Sequence, residues 1–244
     1  ETVALELLLH DPVSRLTILK KEVVGAKGPL VRRGSAITLR PGDKLYLNPS
    51  ATGEASRVVK WENTHRGKVL PLALMRVHHP GDKAPLPGTP LHGLDGTLVA
   101  ICHEPAPEFG NGTYALPVEV VARAERDLEQ GKVERCWIGI TMEARNALPA
   151  IVAVRPESPA ARAGLRKGAV LLQVGPHDVT SYADAVNAFY YLVSGQAIPV
   201  TFLRGVEKLE VEVVPEVHPV VDPDHGEEPQ ENGAPAKPEE ASEK

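Results

Sequence analysis

Cysteine is nearly absent from this chain. Cys102 and Cys136 are the only two in 244 residues and stand too far apart to form a metal or redox motif, so two separate thiols are expected, with a disulfide as the alternative. An excess of basic charge is also missing: 27 Lys and Arg against 32 Asp and Glu leave a net charge of -5, and no nucleic-acid partner is expected. No apolar run approaches the roughly 18 residues of a membrane helix, so no membrane span is expected in this chain. Val3 to Leu9 is too short and too strand-like for a signal core. The chain opens at Glu1, inside an apolar run and without an initiator Met, as a processed or truncated product would.

What the chain does carry is two different rhythms. Up to about His103, short runs rich in Val, Ile and Leu (3–9, 16–20, 44–47, 57–61, 69–76 and 97–101) alternate with Gly, Pro, Asn and Asp, which predicts an all-β barrel or sandwich. Pro117 then opens a helical stretch with Val121, Ala124 and Leu128 on one stripe and Gly131 closing it. Beyond it, Ser158-Pro159-Ala160-Ala161-Arg162-Ala163-Gly164 reads as a short helix capped by Ser158. A second helix starts at the capping box Ser181 to Asp184, presents Tyr182, Val186, Phe189 and Val193 on one face, and is predicted to run to Ser194. Strands at 151–154, 170–174, 199–203 and 208–213 surround both, the last two as a hairpin across Arg204-Gly205. From Asp222 to Lys244 there is no Leu, Ile, Phe, Trp or Tyr, which predicts a disordered acidic tail.

Four pieces in order carry a resemblance. Pro90-Leu91 ahead of Gly93-Leu94-Asp95-Gly96, Tyr114-Ala115-Leu116-Pro117-Val118, Gly131-Lys132-Val133-Glu134-Arg135 with Trp137-Ile138-Gly139-Ile140, and Ser158 to Leu165 resemble the HtrA (Deg-type) family of trypsin-like serine proteases with a C-terminal PDZ domain. The resemblance implies a mainly β fold: an incomplete chymotrypsin-like double β-barrel over 1–116, a linker helix over 117–134, an α+β PDZ domain over 135–216 and the tail over 217–244. It implies a His-Asp-Ser triad between the barrels. The family's aspartate falls on Arg15 in Asp11-Pro12-Val13-Ser14-Arg15-Leu16, a charge reversal that opposes a protonated histidine. The histidine belongs upstream of Glu1. Aligning Gly88-Thr89-Pro90-Leu91 with the family's Gly-Gly-Pro-Leu puts Pro87 at the serine and Pro85 two residues earlier, at a glycine. Both positions normally give N–H groups to the oxyanion hole, and proline has none. One such donor is worth about 3–4 kcal/mol, so no catalytic residue is expected in this chain.

Substitute chemistry finds little support. Thr89 has a hydroxyl but no assignable His-Asp partner, Cys102 ends an apolar strand as a core residue would, and His78, His79, His92 and His103 lack a convincing third-ligand spacing; neither a metal nor a cofactor is expected. The PDZ-like half keeps more. The turn Trp137-Ile138-Gly139-Ile140 is expected to offer N–H groups to a peptide carboxylate, Thr141 and Met142 to pair with the peptide as a strand, and Ala185 and Phe189 to wall the pocket for its last side chain. Gly168-Ala169 and Gly175-Pro176 depart from the family's Gly-Asp and Asp-Gly at turns outside that groove. The resemblance thus implies a pseudoprotease that binds peptide or protein C-termini, alone or in homo- or hetero-oligomers with active HtrA-like proteases, in an extracytoplasmic (periplasmic) setting. Two alternatives stay open: an active endopeptidase with catalytic residues elsewhere or in another register, and a structural module whose groove is closed by its own chain.

Overall fold

The structure is a computed structural model of the chain and describes residues 4–21, 31–65, 67–106, 108, 110–144 and 148–218. The expected acidic tail from 219 onward lies outside the described residues. Near the start, β1 (Glu6–His10) and β2 (Thr17–Lys20) form a separate antiparallel ribbon. Six strands then make one antiparallel sheet: β3 (Lys44–Leu45), β4 (Ser56–His65), β5 (Lys68–His78), β6 (Pro90–His92), β7 (Leu98–Ala106) and β8 (Gly112–Pro117), in the order β3-β4-β5-β8-β7-β6. Tyr46, just beyond β3, exchanges backbone hydrogen bonds of 2.8 Å in both directions with His92 on the opposite edge, so the sheet closes into a barrel. Alternate residues fill it, Met75 and Val77 from β5 meeting Leu45, Val58, Leu91, Cys102 and Ala115, all at most 2% exposed.

One polar chain crosses this barrel. Ser56 donates to His79 Nδ1 at 2.8 Å, His79 Nε2–H donates to Thr113 Oγ1 at 2.8 Å, and Thr113 donates to Cys102 Sγ at 3.7 Å, the directions that satisfy every member. Burial, with the nearby His78 adding to it, pushes the His79 pKa down to about 4, so the ring is neutral at physiological pH. Burial also pushes the Cys102 thiol up, as suits a core thiol rather than a nucleophile, and both cysteines are free.

The connector α1 (Val118–Gln130) starts after Pro117 and stops at Gly131, whose φ of 69° a residue with a Cβ adopts only with strain. Val118, Val120 and Ala124 are buried, while Val121 and Leu128 of the expected stripe are half-buried. The second module follows as β9 (Cys136–Trp137), β10 (Ile140–Met142), β11 (Ile151–Val154), α2 (Pro159–Arg162), β12 (Val170–Val174), β13 (His177–Asp178), α3 (Tyr182–Tyr190), β14 (Ile198–Arg204), β15 (Glu207–Val213) and β16 (Glu216–Val217). They pair as a sheet of order β13-β12-β14-β15 and as the ribbons β10-β11 and β9-β16 around a core that includes Ile138, Ile151, Leu165, Leu171, Val200 and Phe202.

Two local expectations need correction. The second helix ends at Tyr190, not Ser194: Tyr191 turns away to stack on the His177 ring at 4.8 Å and Leu192 drops into the module core. Tyr114 to Pro117 is not merely a lead into α1 but part of β8, a fully buried strand between β5 and β7. The two modules are packed together. Leu72, Leu116, Val120 and Tyr190 form one buried cluster with Val13 and Leu16 against it, so α3 seats on the barrel, α1 and the β1–β2 turn at once. Among the described residues no helix is long and apolar enough to cross a membrane.

Candidate peptide-binding site

The positions expected to correspond to a catalytic triad, Arg15 and Pro87, lie in two surface segments. Arg15 sits in the β1–β2 turn, exposed, at φ 61°, its N–H bonded to Asp11 O at 2.8 Å. The buried carboxylate of that turn is Asp11. It accepts from Ser14 Oγ at 2.5 Å, from the Val13 and Ser14 N–H groups at 3.1 Å and from Tyr190 Oη at 2.8 Å, and so faces α3 rather than a histidine. Burial raises its pKa, but these hydrogen bonds together outweigh that and hold it below the usual carboxylate value.

Pro85 and Pro87 lie in the loop before β6. Gly88 N–H bonds to Cys102 O at 2.7 Å, Cys102 N–H bonds to Thr89 O at 2.9 Å, and Pro87 is exposed. His103, next to Cys102, has its pKa lowered by burial; Glu104 raises it and Arg15 lowers it. The Pro87 loop is thus held by Cys102, next to the residue on which Arg15 acts electrostatically. Among the described residues no hydroxyl bonds to His103, and the constellation of nucleophile, base and orienting carboxylate does not form.

The turn after β9 is built differently. Gly139 adopts φ 81°, and a Cβ there would lie 2.2 Å from Ser158 Cβ, so only glycine fits. The turn's carbonyls are tied back, Ile138 O accepting from Ala160 N–H and Gly139 O from Arg155 N–H, both at 2.8 Å. Its N–H groups are not: Ile138 and Gly139 find no acceptor among the described residues. Two backbone N–H groups pointing away from their tethered carbonyls make a small anion cradle. β10 continues from it, paired among the described residues with β11 alone, Ile140 facing Val154 and Thr141 facing Ala153, so its other edge can take a further strand.

Trp137 precedes the cradle with its ring held between Arg155, 5.4 Å from the centroid, and His218 at 5.5 Å. Phe189 is half-buried on α3, where sequence reasoning put it. Ala185 is not at the surface: it is 0% exposed in the module core and presents no wall to a ligand in this conformation. Val186 and Phe189 line, with Arg123 and Arg135, a cavity of about 210 Å³ whose far side is the β1–β2 turn and whose lining includes none of residues 137–142. Val186 stood on the apolar stripe of the helix, and that stripe was the available signal. Arg135 had none beyond its place before the turn.

The chain is similar to known proteins in both modules. A profile described as a PDZ domain matches residues 137–214. A probable periplasmic serine endoprotease, DegP-like, from Pseudomonas putida (strain W619) is 25% identical over 88% of this chain and 49% of its own length; another from Ectopseudomonas mendocina (strain ymp) is 28% identical over 86% and 45%. The fold is shared with the HtrA-type protease AlgW, solved with a tripeptide (22% identical, TM-score 0.54, 89% of this chain and 78% of that one) and with a decapeptide (21%, 0.52, 90% and 73%). This chain is HtrA-like over most of its length and carries a PDZ-domain match in its second module. The HtrA-like chain spans about half the length of the curated relatives it matches. The cradle of Ile138 and Gly139 and the helix α3 both lie within the residues that match the PDZ domain.

Proposed function

We propose that this HtrA-like protein is a pseudoprotease whose PDZ domain captures peptide C-termini or exposed hydrophobic segments, in a scaffold, regulatory or chaperone-like role. The observation that carries this reading is the pair of uncommitted N–H groups at Ile138 and Gly139 beside the open edge of β10. A C-terminal carboxylate supplies the missing acceptors while the peptide adds as a strand, with Trp137, Ile140, Thr141, Met142 and Phe189 around it. One structurally similar protease, AlgW, was solved with two short peptides, in keeping with such a groove. Loss of catalysis rests on Pro85, Pro87 and Arg15, which remove two oxyanion donors, the nucleophile and the carboxylate together. A periplasmic setting follows the names of the curated relatives, and association with copies of itself or with active HtrA-like proteases follows the family.

The second reading is an endopeptidase like those relatives, with catalytic groups supplied otherwise. Fluorescence titration against a library of C-terminal peptides, for the native chain and Gly139→Asp, together with a casein-cleavage assay on the full-length product, separates the two. The pseudoprotease reading expects micromolar binders lost in Gly139→Asp and no cleavage. Cleavage abolished by a serine-protease inhibitor establishes the other reading, and the absence of any binder better than roughly millimolar removes the peptide-capture role.

A further inference from the structure

A large cavity lies away from the peptide groove. It measures about 300 Å³ at the junction of barrel and PDZ domain, between Trp61 of β4, Glu119 of the first turn of α1, His177 of β13, Asn187 of α3 and Tyr191 just past its end. Such a volume is at the lower end for small-molecule sites and many times what one water needs.

Its polar groups are unbalanced in one direction. Glu119 uses one carboxylate oxygen, accepting from Ser35 Oγ at 2.7 Å and Ala36 N–H at 2.9 Å, while its Oε2 is buried with no partner. Asn187 is 7% exposed; its amide N–H donates to Ala183 O at 2.7 Å, and its Oδ1 is likewise buried without a partner. Both unmatched atoms are acceptors, on side chains that line the cavity. Asp178 and Asp184 add negative charge to the lining, and Asp184 is already held by Thr180, Ser181 and Asn63. The cationic lining residue, Arg40, spends its guanidinium on the carbonyls of Ile37 and Leu39. Flat aromatic surface completes the walls: Trp61, whose indole N–H is satisfied by Leu39 O at 3.2 Å, and the stacked pair His177 and Tyr191. Buried acceptors, surplus negative charge and aromatic faces are together complementary to a donor-rich cation.

We propose that this junction cavity binds a small organic cation with an ammonium or guanidinium head, its N–H groups meeting Glu119 Oε2 and Asn187 Oδ1 and its body lying against Trp61 and Tyr191. The ligand touches both modules and therefore stiffens their junction. The site does not depend on the peptide-capture reading, since none of these residues belongs to the groove.

The test uses the full chain with agmatine as probe and butylurea as its uncharged counterpart. Calorimetric titration should give submillimolar agmatine binding, at least tenfold weaker for butylurea and for Glu119→Gln, and saturating agmatine should raise Tm by a few degrees. NMR shift changes on agmatine addition should concentrate at the Trp61 indole and the His177 ring. That mapping on the native chain stands even if Glu119→Gln is less stable. Equal affinity for agmatine and butylurea, shifts confined to the peptide groove, or no binding at 10-fold above millimolar, roughly the weakest useful affinity, would each overturn the proposal.

Discussion

Gly139 and His79 show how much a single position can determine. At Gly139 a methyl group would collide with Ser158 while forcing φ 81° on an L-residue. Gly139→Ala should therefore cost roughly 2 kcal/mol or more in urea unfolding, and the cradle should fail with it. His79 makes the opposite argument, a polar group kept neutral by enclosure. Its unfolded value is 6.5 and its folded value about 4, so between these the unfolded chain takes up the proton and the folded chain does not. Stability from the neutral ring is complete above pH 6.5 and is lost as pH falls towards 4, by about 3 kcal/mol at the lower end. Unfolding curves across this range should show that slope in the native chain and a shallower one in His79→Gln. An identical slope in both would assign it to other groups.

α3 is the element on which the two modules depend. Ser181 caps it, accepting from Asp184 N–H at 3.2 Å, and the Asp184 carboxylate, one methylene shorter than Glu, accepts from Ser181 Oγ at 3.0 Å and from Thr180 N–H at 3.1 Å in place of the Ser181 N–H. Its other oxygen takes a 2.6 Å bond from Asn63 of β4, so one cap residue also ties helix to barrel. At the far end Tyr190 donates to buried Asp11, with the Arg123 guanidinium 4.1 Å from the ring centroid. Tyr190→Phe should cost about 1–3 kcal/mol at pH 7. Because the Asp11 pKa is lowered in the folded chain, its bonds stabilise above the ordinary value of 3.8 and are lost as pH falls below it. The difference between native and Tyr190→Phe curves should hence shrink in strong acid; a constant difference would place the effect in packing alone. The caps, the hairpin and both helices of the PDZ domain were legible from local sequence, because capping and turn chemistry act within four residues. The end of α3 was not, since it is set by Tyr191 meeting His177, and neither was Ala185, whose burial depends on which face of the helix meets the sheet. Barrel closure through Tyr46 and His92 has no local signal at all.

For the whole molecule, the barrel is closed and packed, and on the proposed reading it has given up its catalytic groups. Pro87→Ser alone should leave casein uncut, because Pro85 still lacks an N–H and Arg15 still stands at the carboxylate position. Measurable cleavage by that variant would mean that the remaining machinery is present. The PDZ domain, by contrast, retains a tight glycine turn, tethered carbonyls and free N–H groups. The most direct measurement is the affinity of the full chain for one C-terminal peptide from the library in two forms, free acid and C-terminal amide. Capture by the Ile138–Gly139 cradle predicts micromolar binding of the acid and at least a tenfold loss on amidation, about 1.4 kcal/mol or more. Equal affinity for the two forms would contradict it.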